Sequence, residues 1–186
     1  EPATALSPLD LHVPGDISSA AFPIVAAILV PGSKITLRHV GLNPTRTGLL
    51  DVLMAMGADI EIANRSTDSG EPVGDITVTS SHLTATAVEG HTVVRMIDEF
   101  PILAVAACNA QGTTIIHGAS ELRAKETDRI ATVASELRAL GAQIGEYQDG
   151  FAIHGPTPLH GGIVDSHRDH RLAMALTIAG LVAQND

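Results

Sequence analysis

The chain repeats itself, and that limits what it can fold into. Phe22-Pro23-Ile24 returns as Phe100-Pro101-Ile102 after 78 residues, and Gly32-Ser33-Lys34-Ile35 returns as Gly112-Thr113-Thr114-Ile115 after 80. Met56-Gly57-Ala58-Asp59-Ile60 returns as Leu140-Gly141-Ala142-Gln143-Ile144 after 84. The offset grows slowly and in one direction, as it does for duplicated units separated by short insertions. One packing scheme must therefore serve both copies.

Each copy has the same order of patterns. A helix rich in small residues comes first, Ser18 to Val30 and then Glu99 to Ala110. A glycine turn leads into a strand, Lys34 to Val40 and then Thr113 to His117. Apolar spacing next predicts amphipathic helices over Thr45 to Met56 and Glu126 to Leu140, closed by Gly57 and Gly141 at the left-handed cap position. Two short strands complete each copy: Asp59 to Ala63 with Asp75 to Thr79, and Gln143 to Tyr147 with Gly150 to His154. The polar, glycine-bearing stretch from Arg65 to Gly74 reads as a mobile loop. Asp169 to Ala183 begins a third copy. Residues 1–186 thus read as one domain with units over 12–90, 91–160 and the start of a third over 161–186. The fold class is α/β (α+β), with one helical layer inside because residues 20–30 and 101–110 are apolar on every face.

Composition narrows the function. With 45% apolar residues, 2% aromatics and no Trp, the core is built from Ala, Val, Ile, Leu and Met. Phe22, Phe100, Phe151 and Tyr147 are too few to stack bases, and a net charge of −10 argues against neutralising a nucleic-acid backbone. An anionic small molecule remains compatible if cations are concentrated locally, since charge is screened over roughly 8 Å. Cys108 is the only cysteine, expected as a buried core residue, so a reducing compartment is expected. No signal peptide or membrane-length apolar run is present, which makes the cytoplasm the default and leaves no membrane partner. The chain starts at Glu1 and stops at Asp186 directly after an apolar helix, as a piece of a longer protein would.

Two charged clusters carry the candidate chemistry. Lys125-Glu126-Thr127-Asp128-Arg129 opens one predicted helix and His167-Arg168-Asp169-His170-Arg171 opens another. Cations at a helix start oppose its dipole. An anion held by backbone N–H groups and an Arg fork resolves that conflict. Lys125 and Arg129, four apart, are expected on one helix face. Asp98-Glu99 precedes the second buried helix. By residue type Asp98 reads first as a cap, and its competing reading is a carboxylate facing a ligand. Asn43-Pro44-Thr45-Arg46 reads as a helix start. The spacing of His167, Asp169 and His170 fits no strong zinc pattern, and no metal is assigned.

Leu122-Arg123-Ala124-Lys125-Glu126-Thr127-Asp128-Arg129 and Asp169-His170-Arg171-Leu172-Ala173-Met174 closely resemble the motifs of the EPSP synthase family. Val13-Pro14-Gly15-Asp16-Ile17-Ser18-Ser19-Ala20 also fits it. Asn43-Pro44-Thr45-Arg46 and Met96-Ile97-Asp98-Glu99-Phe100-Pro101 look most like its class II, glyphosate-tolerant branch. Ala124 departs from the usual Val. The resemblance implies an enolpyruvyl transferase-like fold of βαβαββ units around a pseudo-threefold axis, with this chain a partial C-terminal domain and an N-terminal domain elsewhere. It implies transfer of the enolpyruvyl group of phosphoenolpyruvate to the 5-hydroxyl of shikimate 3-phosphate, with no metal or organic cofactor. It assigns Asp98 to the acceptor hydroxyls and base duty, Lys125 to shikimate 3-phosphate and Glu126 to proton transfer. Arg129 and Arg171 go to phosphoenolpyruvate, with Asp169 and His170 in support. The related transferase acting on UDP-N-acetylglucosamine and a non-catalytic docking domain are the alternatives.

Overall fold

The computed structural model describes residue 8 and residues 10–184. The first unit holds helix α1 (Ile17–Leu29), strand β1 (Lys34–Gly41), helix α2 (Gly48–Ala55) and the hairpin of β2 (Asp59–Asp68) and β3 (Glu71–Thr79). The second holds β4 (Ala87–Val88), the single turn α3 (His91–Val94), α4 (Phe100–Cys108), β5 (Gly112–Ile116), a 3-10 turn (Ser120–Ala124), α5 (Arg129–Ala139), β6 (Gln143–Tyr147) and β7 (Gly150–Gly155). Helix α6 (His170–Val182) opens the third.

The two sheets have matching topologies. One sheet runs β1-β3-β2 and the other β4-β5-β7-β6, so equivalent strands take the same order in each. Every unit also opens with a parallel pairing: Gly15 on Val40, β4 on β5, and His160 on Gln184. Parallel neighbours need a crossover. Here the crossovers are α1, α4 and α6, which pack against one another. All nine residues of α4 are buried, as its lack of a polar face requires. Ala104, Ala106 and Ala107 let neighbouring elements come close. Cys108 lies in this core, and burial pushes its thiol pKa up to about 12.

Several sequence-based boundaries shift. The segment expected as a mobile loop over Arg65 to Gly74 is instead the outer half of a long hairpin. β2 and β3 pair out to Asp68 opposite Glu71, and Ser69 and Gly70 turn the chain with φ 51° and 89°. Positive φ at both central residues is the turn that matches strand twist. The strands extend beyond the core there, so their exposed residues are polar without being loop. α2 starts at Gly48, because Asn43 accepts hydrogen bonds from the Thr45 backbone N–H (3.0 Å) and hydroxyl (2.8 Å) in a separate turn ahead of the helix. α5 starts at Arg129 and not at Glu126, with Asp128 capping it by accepting from Ala131 N–H at 3.1 Å.

Gly57 and Gly141 end α2 and α5 alike. Both have φ 95°, and the next residue's N–H returns 2.9 Å to the carbonyl of Leu53 or Leu137. Their surroundings differ: a Cβ at Gly57 would meet only the His82 carbonyl at 3.5 Å, whereas one at Gly141 would meet the His160 ring at 2.9 Å. We expect Gly57→Ala to cost about 1–2 kcal/mol for the left-handed backbone alone, and Gly141→Ala to cost more. Urea denaturation of the two variants checks this, and equal losses would show that the His160 ring yields freely.

Candidate active site

The heads of α4, α5 and α6 converge, and each delivers charge. α4 begins late. Phe100 corresponds to Phe22, so Asp98 corresponds to Ala20 (98 − 78 = 20), which in α1 is already inside the helix. The unit-two chain instead turns through 95–99, leaving Asp98 at a bend in front of the helix. The reading of Asp98 as a cap is corrected: the cap position is Glu99, and no side-chain cap bond forms there.

The 3-10 turn leads to Lys125, whose extended backbone (φ −80°, ψ −161°) lies outside α5. The expectation that Lys125 and Arg129 share a helix face is therefore corrected. They meet because both reach Asp98. Arg123, which the motif contains but to which no role was given, fixes this connection. It donates to the carbonyls of Tyr147 (2.6 Å) and Gln148 (2.8 Å) and pairs with Asp128 (2.7 Å) and Glu146 (3.1 Å). Its fan of donors is legible only once the β6–β7 turn is in place.

Arg129 is the hub. Its side chain is 1% exposed and surrounded by carboxylates. Nε donates to Asp169 at 2.7 Å and Nη2 to the other Asp169 oxygen at 3.3 Å. Nη2 also reaches Glu126 at 2.7 Å, and Nη1 reaches Asp98 at 3.2 Å. The conflict between cation and helix dipole is thus resolved internally by Asp169 and Glu126, so it does not by itself require a ligand. Asp169 is fully buried and also caps α6, accepting from the N–H groups of Arg171 (2.9 Å) and Leu172 (3.3 Å). Burial alone would raise its pKa, but the hydrogen bond and charge of Arg129 outweigh that and hold it below the ordinary aspartate value.

Asp98 is shared by three cations: Arg129, Lys125 at 3.3 Å and Arg171 at 3.4 Å. Burial pushes its pKa up, but Arg171, then Lys125 and Arg129, bring the net shift down, so it is ionised at neutral pH. Glu99 behaves oppositely. It is 3% exposed, Arg171 lies 4.0 Å away, and burial raises its pKa despite Ser18 and Arg171. Asp98, Lys125, Glu126, Arg129, Asp169 and Arg171 are all brought together. His170 is not: it is exposed on the first turn of α6, and among the described residues no side-chain hydrogen bond joins it to the cluster. His167 pairs with Glu136 at 2.9 Å, away from Asp169. Among the described residues, no helix is long and apolar enough to cross a membrane.

Repeated sheets crossed by three helices that pack against one another place the chain within the enolpyruvyl transferase fold. The enolpyruvyl transferase NikO from Streptomyces tendae matches it with a TM-score of 0.70 over 91% of this chain and 37% of that one, at 20% identity, a likeness of fold alone. EPSP synthase from Acinetobacter baumannii matches with a TM-score of 0.91 at 42% identity, covering 94% of this chain and 41% of that one. The 3-phosphoshikimate 1-carboxyvinyltransferase of a Roseiflexus species (strain RS-1) is 56% identical over 182 residues, 98% of this chain and 42% of that protein. The EPSP synthase (3-phosphoshikimate 1-carboxyvinyltransferase) family model matches residues 1–186, and the chain belongs to that family. It spans about two fifths of the length of the curated relatives it matches.

Asp169→Asn keeps the cap of α6 but leaves Arg129 without its main counter-charge. Breaking a buried pair from one side costs about 3–5 kcal/mol, and that loss is expected in denaturant titrations at neutral pH. Because Asp169 sits below its unfolded value, its contribution is present above about pH 4 and is lost as pH falls through the lower folded value. The variant should therefore show a shallower acid-induced loss of stability than the parent. Equal slopes would mean that other carboxylates carry the acid sensitivity.

Proposed function

We propose that this chain is part of a cytoplasmic 3-phosphoshikimate 1-carboxyvinyltransferase, contributing a partial C-terminal domain whose remaining phosphate-binding residues come from another domain of the same enzyme. The observation that supports this reading best is Asp98 held within 3.4 Å of Lys125, Arg129 and Arg171 at the joined helix heads, in a chain of this family. In the proposed reaction the 5-hydroxyl of shikimate 3-phosphate adds to C2 of phosphoenolpyruvate while its methylene carbon gains a proton. Loss of phosphate and of that methyl proton then gives the enol ether.

Asp98 is assigned to receive the hydroxyl proton. In the free chain three cations hold its pKa down; sharing those cations with substrate anions raises its basicity as the complex forms. Glu126, half-exposed and bound only at one end to Arg129, is free to turn toward the methylene as the acid. Lys125 and Arg171 keep partly exposed side chains and meet the anions directly. Arg129 joins them on phosphoenolpyruvate through the edge now taken by Asp98 and Glu126, with Asp169 keeping the opposite edge.

In the complete enzyme, Asp98→Asn is expected to fold normally, bind both substrates and lose on the order of 10²-fold or more in turnover. Stability loss with normal turnover in the surviving protein would make Asp98 structural. Arg171→Ala is expected to weaken phosphoenolpyruvate binding by about 2–5 kcal/mol, read from its apparent affinity in a phosphate-release assay. An unchanged affinity removes Arg171 from the anion site.

A further inference from the structure

His12, His39 and Asp68 are scattered in sequence, and sequence analysis gave none of them a role, yet they meet at the outer end of the first sheet. His12 lies in the segment leading to Asp16, the cap of α1. His39 sits in a bulge where the β1 register breaks between Leu37 and Val40. Asp68 ends β2 before the Ser69-Gly70 turn. His12 Nδ1 is 3.0 Å and His39 Nε2 3.2 Å from the same Asp68 oxygen, and the two rings stack with centroids 4.5 Å apart. The three ligand atoms lie within 4.8 Å of one another.

The simplest account, two imidazoles donating to one carboxylate, fits His12 but fails for His39. Its Nε2 is buried and makes no hydrogen bond among the described residues, although Asp68 is at hydrogen-bonding distance. At that distance only the direction can fail, so the oxygen lies off the nitrogen's lone-pair axis. Nitrogen-to-oxygen separations of 3.0 and 3.2 Å leave room for one ion at about 2.0–2.1 Å from each donor atom, and the buried His39 Nε2 keeps a lone pair for it.

The backbone supports the placement. His39 takes φ 53°, which few histidines adopt. Its N–H donates to Asp75 at 2.8 Å, and Asp75 accepts from Asn64 at 2.9 Å. Asn64, at φ 50°, marks the bulge in β2. Paired bulges of this kind re-aim side chains. Ser69 completes an outer layer, donating to the second Asp68 oxygen at 3.2 Å and accepting from the His12 N–H at 3.2 Å.

We propose that His12, His39 and Asp68 bind a divalent transition-metal ion with the ligand preferences of zinc, and that the ion fastens the segment ahead of α1 to the first sheet. The site shares no residue with the Asp98 cluster.

The test is calorimetric titration of the metal-free protein with zinc chloride at pH 7.5, with cobalt as a spectroscopic substitute. One ion per chain is expected, with a rise in Tm on binding. His12→Ala and His39→Asn should each weaken binding at least about tenfold. Asn is chosen at position 39 because it tolerates the left-handed backbone, so a folded variant is expected. Absence of binding by the parent protein overturns the proposal, and so does unchanged affinity in both variants. Binding is read directly, so either result is independent of transferase activity.

Discussion

The placement of the candidate site depends on one buried guanidinium. Arg129 stands at the first position of α5, and its donors tie that helix to the cap of α6 through Asp169 and to the bend before α4 through Asp98. The desolvation of such a group consumes most of what its ion pairs return, so its net contribution to stability is small. Its effect is geometric. A planar fork with fixed donor directions leaves three elements little freedom to slide past one another. Asp169 makes the arrangement economical in residues, since one carboxylate both caps a helix and neutralises the hub.

Around that hub the charges nearly cancel without any ligand. Lys125, Arg129 and Arg171 face the carboxylates of Asp98, Glu126 and Asp169, while Glu99, driven toward its neutral form by burial, stays behind Arg171. On the proposed reading, substrate anions compete with these internal carboxylates for the same cations. The carboxylates released in that competition are the ones the chemistry needs.

Much of the fold was legible because the duplication repeats the signals that specify it. Glycine caps, buried alanine-rich helices and the succession of helices and strands all follow from patterns that occur twice. The errors fall where local chemistry and tertiary context disagree. Residues 65–68 are polar because they extend past the core, and polarity was mistaken for loop. Thr45 and Glu126 looked like helix starts, but the Asn43 turn and the extended Lys125 delay both helices by three residues. The site residues were legible as motifs, whereas their contacts were not. Nothing in the spacing of Asp98, Arg129 and Asp169 says that one guanidinium joins all three. Asp98 itself stands where the second copy departs from the first, at the position that Ala20 occupies inside α1.

The enclosure of α4 has a consequence for how the molecule opens. A helix with a solvent face can fray while the rest of a domain stays closed, exchanging its amide protons through small local fluctuations. α4 has no such face: α1, α6 and the β7 side of the second sheet surround it, and its nine residues touch parts of all three units. Its amides can reach water only when the units separate. The slowest-exchanging protons in the chain should therefore belong to residues that bear no charge and touch no ligand, and their rate should report the concerted separation of the whole assembly.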